Sequence, residues 1–206
     1  MEETNIYEIA KNMNNTFINT YLNQMYDNLT IRRDSFLFIF VYLIQKNKSF
    51  YNIIETGCTR KINDFDDGMS SILFDRFINF YDGHLTTIDI SAENCKLCCE
   101  NVSNKTTIVN MDSIKYLRNY TTNSNDILDI DLLYLDSYDI DWNAPHKSSL
   151  HHLKELCAII PKLKKGCIIM IDDNNNNIGK GQYVSEFLKD IGATLLFNHY
   201  QIAYEL

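Results

Sequence analysis

Five short apolar runs, each closing on an acid, constrain this chain more than any other feature of it. The first is Tyr51-Asn-Ile-Ile-Glu55-Thr-Gly57; His84 to Asp89, Thr106 to Asp112, Leu132 to Asp136 and Cys167 to the Asp172-Asp173 pair follow. Apolar runs held between polar turns read as buried parallel strands, and the stretches between them are long enough to hold helices, which predicts an α/β domain. A glycine just past a strand end, as at Gly57, lets the backbone turn tightly and approach a ligand. In a doubly wound sheet, ligands sit outside the carboxyl ends of the strands. The pattern therefore points Glu55, Asp89, Asp112, Asp136, Asp172 and Asp173 at one edge. One acid after one strand is ordinary; five in register predict a site.

The 206 residues make one domain with one sizeable core. Ahead of the first strand, Ile6, Ile9, Met13, Phe17, Tyr21 and Met25 recur at steps of three and four, the stripe of one amphipathic helix. A second helix is expected from about Asp34, capped by Asp34 or Ser35. Residues 1–34 thus read as a helical extension and 35–206 as the main domain, with the leading helices covering the sheet or ligand or making a homodimer contact. The polar stretch from Gly57 to Ser71, with a second glycine at Gly68 and a helix cap at Ser70 or Ser71, is longer than the ~2 to 6 residues usual between strand and helix, and suits a lid.

A net charge of -8 and a pI near 5.0 disfavour a protein that tracks nucleic acid through phosphates. Lys162 to Lys165 falls where a helix C-terminus is expected, so its cations complement the helix dipole. Cys95, Cys98 and Cys99 precede Val102 at core-face spacing, while Cys58, Cys157 and Cys167 lie singly, which argues against a zinc site. The run Asn174 to Asn177 reads as a loop. The first residues do not resemble a signal peptide, and Phe36 to Ile44 is far short of the ~18 apolar residues of a membrane span, so a soluble cytoplasmic protein is expected.

Asp89 is the most diagnostic residue. In nucleoside-binding α/β folds a carboxylate ending the second strand accepts hydrogen bonds from both ribose hydroxyls, and Asp112, ending the third, would lie near the base. Neither G-x-G-x-x-G nor G-x-x-x-x-G-K-[ST] occurs, so a dinucleotide or an ATP phosphate cradle is not indicated.

These residues resemble the class I S-adenosylmethionine (SAM)-dependent methyltransferases. Glu55-Thr-Gly57 is similar to the family's first motif, Asp89 to its ribose acid, Asp112 to its adenine-side acid and Asp136 to the fourth-motif position where catalytic residues gather. The closing segment from Ala193 to Tyr204 resembles its final hairpin. The resemblance spans roughly residues 35 to 206. It implies a three-layer Rossmann-like sandwich, a mostly parallel seven-stranded sheet with a C-terminal antiparallel hairpin, and SAM contacts from Glu55, Gly57, Ser70, Asp89, Ile90, Asp112 and Ser113. Within the family, Asp136-Ser-Tyr-Asp139 together with Asp172-Asp173 and the segment Gly179 to Leu188 looks most like small-molecule O-methyltransferases, including those acting on sugars. There an acid after strand four and the acid pair after strand five hold a divalent cation, so the resemblance implies Mg²⁺ or Mn²⁺ on Asp136, Asp172 and Asp173.

The chemistry agrees with such a set. An alcohol attacks a methyl sulfonium only if a base removes its proton or a cation stabilises the developing alkoxide. Asp136 and His152 are the candidate catalytic groups, with His151 beside it at the start of a helix from Ser149 to Ile160. The expected acceptor is a sugar or nucleotide sugar, for which thirteen tyrosines and Trp142 offer stacking surfaces. Two other classes stay open: an RNA ribose 2′-O-methyltransferase drawing on Lys154 and Lys180, and a methyltransferase-like module that binds without turnover. An adenine or glutamine N-methyltransferase is disfavoured, since the run Asp136-Ser-Tyr-Asp139 contains no proline.

Overall fold

Every expected strand run pairs, and the sheet that results carries its open edge where the acids gather. The computed structural model describes residues 6–65, 69–120, 127–175 and 178–206. Gly68, Asn176 and Asn177 lie outside the described residues. The parallel strands are β1 (Tyr51–Thr56), β2 (Gly83–Asp89), β3 (Thr106–Asn110), β4 (Leu132–Leu135) and β5 (Ile168–Ile171). A two-stranded ribbon, β6 (Asn174–Asn175) with β7 (Ile178–Gly179), follows β5, and the chain closes on the hairpin β8 (Thr194–Asn198) and β9 (Ile202–Glu205). The seven-stranded sheet runs β3-β2-β1-β4-β5-β9-β8, with only β9 and β8 antiparallel to their neighbours. This is the predicted Rossmann-like sandwich with its C-terminal hairpin.

Eight α-helices cover the sheet among the described residues: α1 (Ile6–Asn12), α2 (Thr16–Gln24), α3 (Arg33–Gln45), α4 (Ser70–Tyr81), α5 (Ala92–Cys99), α6 (Ser113–Arg118), α7 (His146–Ile159) and α8 (Gln182–Asp190). Because both faces are covered, successive strand residues enter different cores: Ile53, Leu132, Tyr134, Ile168 and Met170 join one, Ile54, Leu133, Leu135, Ile169 and Ile171 the other. The first core also takes Phe17, Ile18, Tyr21 and Leu29 from the N-terminal segment. Phe17 sets its ring 5.2 Å from that of Phe40 and 5.4 Å from that of Phe77. Burial of each such side chain contributes about 1.5–3 kcal/mol. Phe17, Tyr21 and Met25 of the apolar stripe are therefore buried inside the chain, while Ile6, Ile9 and Met13 are partly buried against the same core.

Several local expectations differ from the structure. The stripe from Ile6 to Met25 is two helices: Asn15 accepts from the Ile18 amide at 3.1 Å and caps α2, an arrangement an asparagine offers more readily than mid-helix geometry. Neither Asp34 nor Ser35 caps α3, which continues a 3₁₀ turn, Asp27–Arg32; Asp34 accepts from Tyr26 and Ser35 donates to Gln201. Ser70 and Ser71 lie within α4, and Ser71 Oγ instead serves the first-strand loop. Strand β3 stops at Asn110, so Asp112 ends no strand; it caps α6 by accepting from the Lys115 amide at 2.8 Å. Cys95 and Cys98 are buried as expected, with Cys58 packed on them, but Cys99 is exposed. No helix of the described residues is long and apolar enough to cross a membrane.

Candidate active site

Strand order reverses between β1 and β4, which opens a crevice at their carboxyl ends. Gly57, at φ +81°, makes that crevice close-built. A Cβ there would stand 2.6 Å from the Asp136 carbonyl oxygen, so only glycine lets the two strand ends meet. Above them lies a cavity of about 350 Å³ whose walls include Gly57, Ser70, Asp89 and Ile90 on one side and Arg32, Asp136, Asp172, Asp173, Lys180 and Tyr200 on the other.

The first wall is built largely from backbone and one carboxylate. Asp89 accepts from the Ser91 amide at 2.7 Å, the Cys58 amide at 3.2 Å and Asn94 Nδ2 at 3.3 Å. Cys58 Sγ also reaches Oδ2, at 3.7 Å, whereas Oδ1 carries only the Ser91 amide among the described residues and keeps acceptor capacity for a ligand. Ile90 is 76% exposed there, an apolar surface suited to the flat of a ring. Glu55 does not line the cavity; it is fully buried behind the turn, taking a 2.5 Å hydrogen bond from Ser71 Oγ. Burial pushes its pKa up to about 7, although Ser70, Ser71 and Thr87 draw it down. None of the hydroxyls reaches good geometry with Oε1, which is buried and without a hydrogen-bond partner among the described residues. A glycine turn beside a carboxylate that faces the crevice offers acceptors that fit the ribose hydroxyls of a nucleoside such as that of SAM.

The second wall is a charge cluster. Arg32 grips Asp172 through Nε at 3.0 and 3.1 Å and through Nη2 at 2.9 Å, and Nη2 reaches Asp173 at 3.2 Å. Lys180 bridges Asp136 and Asp173, lying 2.9 Å from Asp173 Oδ2. Tyr200 donates to Asp173 Oδ1 at 2.7 Å and lies under the Arg32 guanidinium, 4.7 Å from ring centroid to Cζ. Burial alone would lower the Lys180 pKa, but Asp136, Asp173 and Asp172 outweigh it and hold the amine firmly protonated. Burial and the neighbouring acids raise the Asp136 pKa well above the usual carboxylate range against the pull of Lys180. Asp173 is held below that range: burial opposes this, yet Lys180, Tyr200 and Arg32 prevail.

One oxygen from each of Asp136, Asp172 and Asp173 lies within 4.8 Å of the others, close enough to share a small cation. As they stand, however, the acids are already bound by Lys180 and Arg32. The set does not fit a divalent ion unless Lys180 leaves.

The remaining expected residues fall outside the cavity. Asp112 is exposed at the α6 cap, and Ser113 is buried with its Oγ 3.3 Å from His151 Nε2. His152 is fully buried, its Nδ1 on the Ser148 carbonyl at 2.8 Å and its pKa pushed down to about 4 chiefly by burial. Both histidines attend Glu155, a buried carboxylate that also accepts from Ser137 Oγ at 2.6 Å and Thr56 Oγ1 at 3.2 Å and so braces the ends of β4 and β1 from beneath. Lys154 is exposed on α7 and Lys180 is enclosed by acids, so neither is placed to greet a phosphate backbone. Trp142 is exposed and does not line the cavity.

The fold and crevice together define a Rossmann-like methyltransferase architecture, and comparison with solved structures gives the same class. Over 97% of this chain and 91% of the other, it is similar at TM-score 0.52 and 16% identity to apo CalS11, a TDP-rhamnose 3′-O-methyltransferase in calicheamicin biosynthesis. MycE, a methyltransferase of the mycinamycin pathway in complex with Mg and SAH, matches at TM-score 0.55 and 11% identity over 80% of this chain and 46% of its own. Precorrin-6y C5,15-methyltransferase from Geobacter metallireducens matches at TM-score 0.50 and 13% identity, over 82% and 86%. Comparison with protein-family models gives no match, and comparison with curated protein sequences gives none either. The chain thus has the fold of SAM-dependent methyltransferases.

Proposed function

We propose that this protein is a SAM-dependent O-methyltransferase that methylates a hydroxyl of a small molecule, with a sugar or nucleotide sugar as the favoured acceptor. The observation that carries this reading is a cavity with two chemically different walls, joined where Gly57 touches Asp136. One wall suits a nucleoside; the other holds charge where a hydroxyl would react. The sugar preference is supported by CalS11, which shares the fold across nearly the whole chain.

When bound, SAM supplies an electrophilic methyl group on a sulfonium. The chain's part is to hold the nucleoside at Asp89, the amino-acid end beside the Gly57 turn, and the acceptor hydroxyl against Asp136. Asp136, which lines the cavity, would take the acceptor's hydroxyl proton as the methyl group passes from sulfur to that oxygen. His152 takes no part in this step, because its ring is enclosed within the α7 layer.

Calorimetry tests the reading: SAM or S-adenosylhomocysteine binds and NAD does not. Asp89→Ala weakens SAM binding by about 1–3 kcal/mol through the lost hydroxyl acceptors. Equal affinity for NAD overturns the cofactor assignment. SAM binding without formation of S-adenosylhomocysteine across a panel of hydroxyl acceptors, nucleotide sugars included, moves the assignment to a binding module.

A further inference from the structure

We propose that Lys180 does the work of the divalent cation: its ammonium, locked among Asp136, Asp172 and Asp173, fills the cation position and presents a donor to the acceptor oxygen. The part concerning the acceptor rests on the O-methyltransferase reading above, whereas the occupancy of the acid cluster does not.

The occupancy follows from the acceptor inventory. Both oxygens of Asp172 are taken by the Arg32 fork, and Asp173 gives Oδ1 to Arg32 and Tyr200 and Oδ2 to Lys180. Asp136 gives Oδ1 to Lys180. Three carboxylates against two resident cations leave at most one formal negative charge, and a divalent ion added to them would make the site positive. Mutual repulsion of clustered acids is relieved without a metal.

The backbone keeps Lys180 there. The ribbon β6–β7 folds the chain back so that the Lys180 amide donates to the Asp173 carbonyl at 3.1 Å. Gly179, at φ +134°, has no room for a side chain: a Cβ would stand 2.0 Å from that same carbonyl oxygen. On the other side, a Cβ at Gly181 would come 2.9 Å from Ile202 Cγ2. Flanked by two glycines that let it approach, Lys180 is only 2% exposed, so its aliphatic stem is packed and its ammonium cannot swing out to solvent. An ammonium has three N–H donors. Asp136 and Asp173 use two, and since Lys180 lines the cavity the third is available to an oxygen placed there. In the transfer step that N–H stabilises the charge developing on the acceptor oxygen while the hydroxyl proton passes to Asp136, the oxygen–methyl bond forms and the methyl–sulfur bond breaks.

The test is a Mn²⁺ titration of the full chain, followed by the electron paramagnetic resonance signal of the free ion. Wild type is expected to take up no stoichiometric Mn²⁺, while Lys180→Met, which keeps the stem and removes the charge, gains a site tighter by about tenfold or more. Lys180→Ala repeats the measurement if the longer side chain packs badly, and circular dichroism verifies that each variant is folded. Stoichiometric uptake by wild type that Asp173→Asn abolishes would overturn the proposal. So would failure of both folded lysine variants to gain a site, since the acids would then not be a cation position that the lysine fills. Methyl transfer by wild type that survives exhaustive chelation is expected as well, and its loss would overturn the catalytic part. Failure of the methyltransferase reading shows itself separately, as absent SAM binding, and leaves the Mn²⁺ outcome intact.

Discussion

The two walls of the cavity answer the same problem, how to keep carboxylates near a dry crevice, in opposite ways. On the β1–β2 side, Asp89 is held by backbone amides and Glu55 is left with an unanswered oxygen. On the β4–β5 side every acid is matched by a side-chain cation, one of them brought from the far end of the sequence. The first wall keeps an open acceptor site at Asp89 for a ligand, with Glu55 enclosed behind the turn. The second is complete in itself, and a ligand has to fit around it.

The largest effect that separates the walls is expected at Arg32. Arg32→Met leaves Asp172, only 2% exposed, without its counter-charge, and breaking a buried pair in this way costs about 3–5 kcal/mol. For a chain of this size that lowers the melting temperature by about 6–20 °C, readable by thermal or urea denaturation. SAM affinity should change little, because the β1–β2 wall does not use the arginine. A loss below about 1 kcal/mol would mean that Lys180 and solvent hold Asp172 unaided and that the walls differ less than described.

A second measurement probes the unanswered wall through pH. The pKa of Glu55 rises on folding from 4.5 to about 7, so the folded state binds its proton more tightly than the unfolded one. The associated stability is fully present below pH 4.5 and is lost as pH rises through about 7. The loss is roughly 3 kcal/mol at 1.36 kcal/mol per unit of pKa difference. Glu55→Gln has no such loss, so in cofactor-free protein its melting temperature should gain on wild type from pH 4.5 to about 7 and then level off. His152 shifts the opposite way but does so in both proteins and cancels. A flat difference between the two curves would mean that Glu55 is charged and satisfied in the empty crevice.

The smallest effect lies at the rim where the walls face each other. Arg60 meets Asp139 at 2.7 Å, but the two side chains are 40% and 72% exposed, and Asp139→Ala should cost only about 0–1 kcal/mol, less still in high salt. A larger, salt-resistant loss would make this contact a clasp between the walls.

The difference between the walls also governs how much of the site the sequence made legible. Gly57 and Asp89 are set by their own strand and turn, and local pattern finds them. Asp136, Asp172 and Asp173 follow strand ends and were legible as a group, as was the hairpin that completes the sheet. Asp112 shows the limit of the method: strand β3 stops two residues early, and the acid caps a helix instead of facing the crevice. His152 looked available at a helix start, but its place on the buried face of α7 turns it towards the Ser148 carbonyl. Arg32 carried no local signal at all, because its partner stands 140 residues away. Lys180 did carry one: a lysine between two glycines, just after an acid pair, is a side chain offered at close range.

That long separation orders events in time. A chain made at about 5–20 residues per second exposes Arg32 roughly 7–28 s before Asp172 exists. Through that interval the segment after α2 carries a guanidinium that its apolar neighbours cannot enclose without a partner. The N-terminal helices can gather early, but the corner where they join the sheet closes only once β5 has been laid down. Ribosome-bound chains halted before Asp172 should therefore keep Arg32 open to water and to proteolysis at that bond, and chains halted well beyond it should not.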